Sequence, residues 1–160
     1  MQSPPPYPDL LETLGDFADR LEARLDTAMT NWHWRPEPAA WSLTEVVCHL
    51  RDVEREVHRP RYHAIVTQDN PFLSGASSDE WAASRNYQQQ DGRFALDAFL
   101  AARRANLALL RSLDPELAQR TGRHAYFGPT TLQELLYLAV QHDEAHWEQI
   151  EALLAGEPDH

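Results

Sequence analysis

A chain of 160 residues carries 25 acidic side chains, 14 basic ones and 8 histidines, for a formal charge of −11 with histidine neutral. That balance argues against a nucleic-acid partner, which needs Lys/Arg clusters, and against an anionic membrane surface. A single cysteine excludes an internal disulfide framework. No apolar run approaches the ~20 residues of a membrane span, and no basic stretch followed by an apolar one opens the chain. These features predict a soluble, cytoplasmic protein whose lead-in, residues 1–8, precedes a single domain over 9–155. Such a length buries about 70% of its unfolded surface, enough for a core without staples.

The 21 Leu and 21 Ala against 6 Val and 2 Ile favour helices over pleated strands. Four of the eleven prolines fall in residues 1–8 and predict an extended start. Asp9, with Glu12 in the box position, is expected to cap a first helix running to about Met29. Its apolar stripe is Leu10, Leu14, Phe17, Leu21 and Leu25. A loop over 30–41 follows. Ser42 and Glu45 form a capping box, with Trp41 and Val46 at the staple positions, and open a second helix. Its stripe is Leu43, Val46, Leu50, Val53 and Val57, and Pro60 ends or kinks it near Arg59. Residues 67–90 form a long crossover with a short helix after Ser78. A third helix starts near Asp91 with Phe94, Ala98, Ala102, Ala105, Leu109 and Leu113 on one side, and Asp114-Pro115 closes it. A loop over 115–129 leads to a second capping box at Thr130 and Gln133. The fourth helix then runs to about Leu154, stopped by Gly156 and Pro158. Four amphipathic helices with one long crossover between the second and third predict an all-α four-helix bundle.

The histidines carry the chemical signal. His142 and His146 stand at i, i+4, one turn apart on one helix face, where both rings can reach one ion. On a wheel of ~100° per residue they fall inside the apolar arc of Leu135, Ala139, Ile150 and Leu153. Burying two polar rings costs several kcal/mol unless their nitrogens find partners. His49 flanks the stripe of the second helix. Spacing leaves two readings open: a shared site for a divalent transition metal, or separately hydrogen-bonded core histidines. Three protein ligands would leave positions for water or substrate. Glu45, Asp52, Glu56 and Asp143 are candidates to orient a ring or relay a proton. His33 and His160 lie in a loop and at the terminus, and His58 and His63 read as solvated. His124 is placed to reach the bundle mouth. Cys48 reads as inert packing. Trp34, Trp41 and Trp147 read as core or pocket wall.

Several segments taken together resemble the DinB-like (YfiT-like) superfamily. They are WSLTEVVCHLRDVEREV, DNPF, the Tyr87–Asp91 step, an Arg-rich third helix and HAYFGPTTLQELLYLAVQHDEAHWEQI, and the likeness covers roughly residues 34–154. The resemblance implies a four-helix bundle of up-down-down-up order, often homodimeric. It also implies a divalent metal held by one His of the second helix and the H-x-x-x-H pair of the fourth. Carried onto this chain, the ligands are His49, His142 and His146. The metal (Zn, Ni, Fe or Mn) and the catalytic residues stay open. Relatives include thiol S-transferases that use bacillithiol-type low-molecular-weight thiols, thiol-dependent isomerases, and proteins described as metal-dependent hydrolases. The expected activity is therefore a metal-dependent transferase or hydrolase acting on a small molecule. The rivals are a non-catalytic metal or small-molecule binder and a helical dimerisation module.

Overall fold

The computed structural model describes residues 2–28, 30–75 and 77–158; Met29 and His160 lie outside them. Four long helical rods make the bundle: α1 (Tyr7–Asp26), α2 (Leu43–Val53) continuing into α3 (Arg59–Thr67), α5 (Gly92–Ser112) and α6 (Leu132–Gly156). A short α4 (Trp81–Ser84) lies in the crossover between α3 and α5. Against α5 pack both α2 and α1, and α1 also packs against α6.

Local signals explain most of the helix starts. Ser42 Oγ accepts from the Glu45 N–H, and the Glu45 carboxylate accepts from the Ser42 N–H at 3.0 Å, completing the expected box. Asp91 caps α5 by accepting from the Phe94 N–H at 3.0 Å. Gly92, the first residue of α5, sits against Trp32, whose ring a Cβ there would strike. That contact ties the 30–41 loop to the bundle end. The box of α6 is Thr131 with Glu134, one residue beyond the expected Thr130 and Gln133. Thr130 is instead buried, its hydroxyl on the Gly128 carbonyl, and Gln133 reaches back to the Pro5 carbonyl. The first helix likewise begins before Asp9, with Pro6 at the cap and Pro8, whose ring presets a helical φ, in the first turn.

Three further differences from the sequence reading matter for function. The second rod does not end at Pro60. A π-turn over Glu54–His58, in which the Arg59 N–H reaches the Glu54 carbonyl, absorbs one extra residue and seats Pro60 in the first turn of α3. There the missing N–H costs nothing. The buried face of α5 is Ala95, Leu96, Phe99, Leu100, Arg103, Asn106, Leu107 and Leu110, not the Phe94-to-Leu113 stripe; Phe94 is 74% exposed. A reading that kept polar residues out of the core rotated that helix wrongly, because Arg103 and Asn106 are part of it. Finally, the 67–90 and 115–129 connections contain a small sheet. In it β1 (Phe72–Leu73) runs parallel to β2 (Thr121–His124), which pairs antiparallel with β3 (Gly128–Thr131). Two to four residues per strand are too few to show a period in sequence.

The core is divided. One apolar cluster holds Phe17, Leu21, Leu25, Val46, Leu50, Phe99, Ile150 and their neighbours. The other holds Leu10, Leu14, Tyr62, Ile65, Leu107, Leu110, Leu136 and Val140 with theirs. Along α6 the residues between Val140 and Ile150 include His142, Asp143 and His146. Along α5 those between Leu100 and Leu107 include Arg103 and Asn106. On the second rod, Glu54 and His58 lie between Leu50 and Tyr62. A polar layer thus separates two apolar ones.

Candidate metal centre

Three of the eight histidines meet in that layer. His49 on α2 is buried, and His142 and His146 on α6 are half-buried. His142 Nε2 lies 3.1 Å from His49 Nε2 and 3.1 Å from His146 Nε2. Among the described residues these three form the group of His, Cys, Asp and Glu side chains that can share one ion, with ligand atoms all within 4.8 Å of one another.

The convergence is hard to satisfy without a cation. A neutral imidazole nitrogen offers either one N–H or one lone pair. His142 Nε2 faces two other Nε2 atoms and can complete a hydrogen bond with only one of them, whichever tautomers the rings adopt. A single cation between the rings would instead accept a lone pair from each. The far side of His146 fits that role: its Nδ1 lies 2.8 Å from Gln149 Oε1, so Nδ1 is the donor and Nε2 keeps its lone pair toward the cluster. Among the described residues His49 Nδ1 is buried without a hydrogen-bond partner, and the Trp41 ring lies 5.1 Å from the His49 ring. Electrostatics keep the rings neutral. Burial drives His49 down to about 3, and the neighbouring His146 and His58 rings push in the same direction. Burial also lowers His142, assisted by His58 and His146. Burial lowers His146, with Gln149 pulling the other way. Neutral imidazole is the form that binds a metal.

The remaining candidates fall elsewhere. All four carboxylates are committed to other partners: Glu45 to the α2 cap and to Arg35 at 2.8 Å, Asp52 to Arg51, Arg85 and Tyr87, Glu56 to Arg85, and Asp143 to Arg103. None of them hydrogen-bonds a ring of the cluster. His124 does not join it; its Nδ1 accepts from the Tyr126 and Phe127 N–H groups and closes the β2–β3 turn. His33 and His63 are exposed. His58 is not solvated: the π-turn carries it inside, at 8% exposure, with its ring centroid 5.7 Å from that of His142. Burial lowers it to about 4. Cys48 is buried, and its thiol is pushed up to about 11 by that burial, as an inert residue should be.

Two features escaped the sequence reading. Gln149 is one; its only signal is the i+3 spacing from His146. The other is a buried ion cluster beside the rings. Arg103 Nε donates to Glu54 at 2.6 Å, and its two other nitrogens donate to Asp143 at 2.7 and 3.0 Å, with a further bond to the Leu14 carbonyl. All three side chains are at most 4% exposed. Burial works to raise the Glu54 carboxyl, and the Arg103 charge overcomes it and holds it below the ordinary carboxylate range.

The rings open on one side. A cavity of about 610 Å³ is lined by His146 and Gln149, the 36–41 loop, Asp79 and the last turns of α6. The 30–41 loop lines this cavity, unlike the 115–129 loop. The latter contributes no lining residue: it precedes α6, whereas the cavity lies toward the C-terminal end of that helix. A larger hollow, about 810 Å³, lies between residues 30–33 and 88–93 and touches none of the three histidines.

With bundle and ring geometry established, comparison with known proteins places the chain in a family. Residues 13–150 match the DinB superfamily, and the chain belongs to it. It is 25% identical over 113 residues to OB0782 of Oceanobacillus iheyensis, whose given name assigns it provisionally to the metal-dependent hydrolases. That match covers 71% of this chain and 64% of the relative, so the chain spans just under two thirds of the relative's length. Its fold is that of Bacillus subtilis YfiT, reported as a probable metal-dependent hydrolase with an unusual four-helix bundle topology. The TM-score is 0.79 at 22% identity, over 91% of this chain and 83% of that one.

Proposed function

We propose that the protein is a metal-dependent enzyme of the hydrolase type, acting on a small molecule in the cavity beside His146. In this reading His49, His142 and His146 hold one divalent transition metal. The observation that carries it is the meeting of three Nε2 atoms that cannot satisfy one another by hydrogen bonding. The ion, when bound, supplies a Lewis acid that makes water or a thiol a better nucleophile. The chain's own residues do the rest. Gln149 fixes the tautomer and tilt of His146, and the Trp41 ring beside His49 shields that ligand from bulk water. The 36–41 loop and the end of α6 bound a space of drug-like size, which suits a small substrate.

The test is elemental analysis of the purified protein followed by a hydrolysis screen on ester, amide and lactone substrates, with metal loaded and with metal chelated. One equivalent of a transition metal and turnover that disappears on chelation are the expected results. A parallel arm with a low-molecular-weight thiol and an electrophile separates thiol transfer from hydrolysis. A protein that binds metal but turns over nothing in either arm is a binder, and one that takes up no metal ends the reading.

A further inference from the structure

The chemistry of the cavity lining is lopsided. Pro36, Ala39, Ala40, Trp41, Ala152 and Leu153 give it an apolar wall. Besides His146, its single ionisable lining residue is Asp79, which lies in a helical turn of the crossover (Ser78–Glu80) and is exposed. Asp79 is near enough to act electrostatically on the His146 ring, and among the described residues no cation pairs with it. An adjoining cavity of about 270 Å³ shares Ala39, Ala40, Trp41 and Asp79 and brings in Arg35. No positive side chain lines the larger space, and the one that lines the smaller, Arg35, is paired through its Nε with Glu45 at 2.8 Å.

A ligand with its donor group at His146 and its body along this apolar wall meets Asp79 within the same cavity. A carboxylate or phosphate beside Asp79 meets a negative charge, no compensating cation, and the field of a chain carrying −11. An ammonium meets an unpaired carboxylate. We propose that the cavity selects amphipathic amines: small molecules with a metal-binding group at one end, an apolar body, and a cationic nitrogen at the other, recognised by Asp79. The inference rests on the metal-site reading above and adds to it the class of substrate. It also disfavours thiol cofactors that carry several carboxylates, because nothing in the lining would neutralise them.

Three probes with one metal-binding head and different tails test this: para-aminomethyl benzohydroxamic acid, benzohydroxamic acid and para-carboxy benzohydroxamic acid. Their affinities are measured by calorimetry on the zinc-loaded protein, on Asp79→Asn and on Asp79→Lys. In the wild type the cationic probe binds roughly 2–5-fold tighter than the neutral one, and the anionic probe is weaker by a similar factor, the scale of an exposed charge pair. Asp79→Asn brings the three together, and Asp79→Lys reverses their order. Equal affinities or an anionic preference in the wild type overturns the proposal. So does a wild-type order that survives in Asp79→Asn, or no binding of the cationic probe at millimolar concentration. Chelator-stripped protein separates the two readings. If it binds the probes as tightly as loaded protein does, the metal site fails, and the charge order still reports on Asp79. If stripping abolishes binding but loaded protein shows no charge order, only the amine proposal fails.

Discussion

The polar layer of the bundle contains two clusters of very different character, side by side on the same helices. In the Arg103 cluster, one guanidinium meets two carboxylates in the fork geometry it is built for, and all three groups are closed off from solvent. In the histidine cluster, three like nitrogens face one another, and one of the rings lines a cavity. In the first cluster each carboxylate is paired with the guanidinium, and one oxygen, Glu54 Oε2, is left without a hydrogen-bond partner among the described residues. The second is incomplete in itself and complementary to a cation. Buried polar groups that satisfy each other hold helices in register; buried polar groups that converge without satisfying each other mark a ligand position. His142 and Asp143 are adjacent in sequence, so α6 serves both clusters from neighbouring positions.

The largest expected effect separates the two directly. His142→Ala and His49→Ala each take bound transition metal from about one equivalent per chain to trace, read by elemental analysis, with far-UV circular dichroism little changed. Helix content survives because the apolar clusters on either side hold no metal-dependent contact. Unchanged metal content in either variant removes the three-histidine site. Arg103→Met does the opposite. It leaves Glu54 and Asp143 buried without a partner, and breaking such a cluster costs about 3–5 kcal/mol of stability in urea unfolding. Replacing all three (Arg103→Met with Glu54→Leu and Asp143→Leu) recovers most of that loss, since no uncompensated charge remains. If Arg103→Met is as stable as wild type, the cluster is not what holds α5 and α6 to the π-turn.

The legibility of these regions in the sequence differs for the same physical reason. Helix starts with local chemistry, such as Ser42 with Glu45, could be read because a capping box is complete within four residues. The histidine cluster could be read because its members fall on apolar arcs, and a polar ring there demands an explanation. The DinB resemblance singled out the same three histidines as expected ligands where spacing alone left two readings open. The Arg103 cluster could not be read. Its three members sit on three separate rods, and each looks like an ordinary charged residue of a solvated face. The same blindness turned α5 to the wrong phase. The π-turn was hidden too: Pro60 announces a break, but nothing local says that an extra residue will be absorbed and His58 swung inward. Asp79 and Gln149 reach the cavity from a short turn and from one residue of a helix end, without periodicity to reveal them.

Acid separates the clusters along the pH axis. Burial holds the His49 and His58 pKa values near 3 and 4, well below the unfolded value of about 6.5. A depressed folded-state value means the unfolded chain takes up protons first, so the metal-free protein is most stable above about pH 6.5. It loses stability as the pH falls from there through the folded-state values. Glu54 is also depressed, but its unfolded reference is 4.5, so its contribution fades only below that point. Asp143 opposes the two rings: burial raises its carboxyl to about 6 against the Arg103 charge, so its protonation favours the fold as the pH falls through that value, and urea midpoints on metal-free protein should fall from near pH 6 by less than the rings alone would give. A midpoint that stays flat or rises down to about pH 4.5 would mean that the depression of the rings does not outweigh the raised Asp143 carboxyl. The same depression changes what metal does. If the folded site competed for protons with ordinary imidazoles, added metal would cease to stabilise toward pH 5. With rings already held neutral, the metal-dependent rise in melting temperature should persist at about pH 5 and fade only toward the folded-state values.

Gln149→Leu tests the outer edge of the histidine cluster with a smaller effect. It removes the acceptor for His146 Nδ1–H while keeping the volume, and metal affinity should weaken about 10–100-fold by competition with a chromophoric chelator. Stability should move little, because Gln149 lies at the cavity lining and takes no part in the Arg103 cluster.

The smallest expected effects belong to the two histidines flanking Pro60, which look alike in sequence. His63 is exposed, and no pair or ring contact of the site involves it. His63→Ala should stay within about 0.5 kcal/mol of wild type and leave metal affinity unchanged. His58 is buried, stacked on Tyr62 at 6.2 Å and edge-on to His142 at 5.7 Å by ring centroids, and among the described residues its Nε2 has no hydrogen-bond partner. Two opposing terms follow from His58→Ala. The packing around Tyr62 and His142 loosens, which destabilises, while a buried unpartnered nitrogen disappears, which relieves. The net expectation is a loss of about 1 kcal/mol, with a full equivalent of metal still bound. The measurement is a urea melt and a metal titration on both variants. If His58→Ala loses its metal as His142→Ala does, the ligand set includes the ring behind His142, and the division between a converging cluster and its packing shell has to be redrawn around the π-turn.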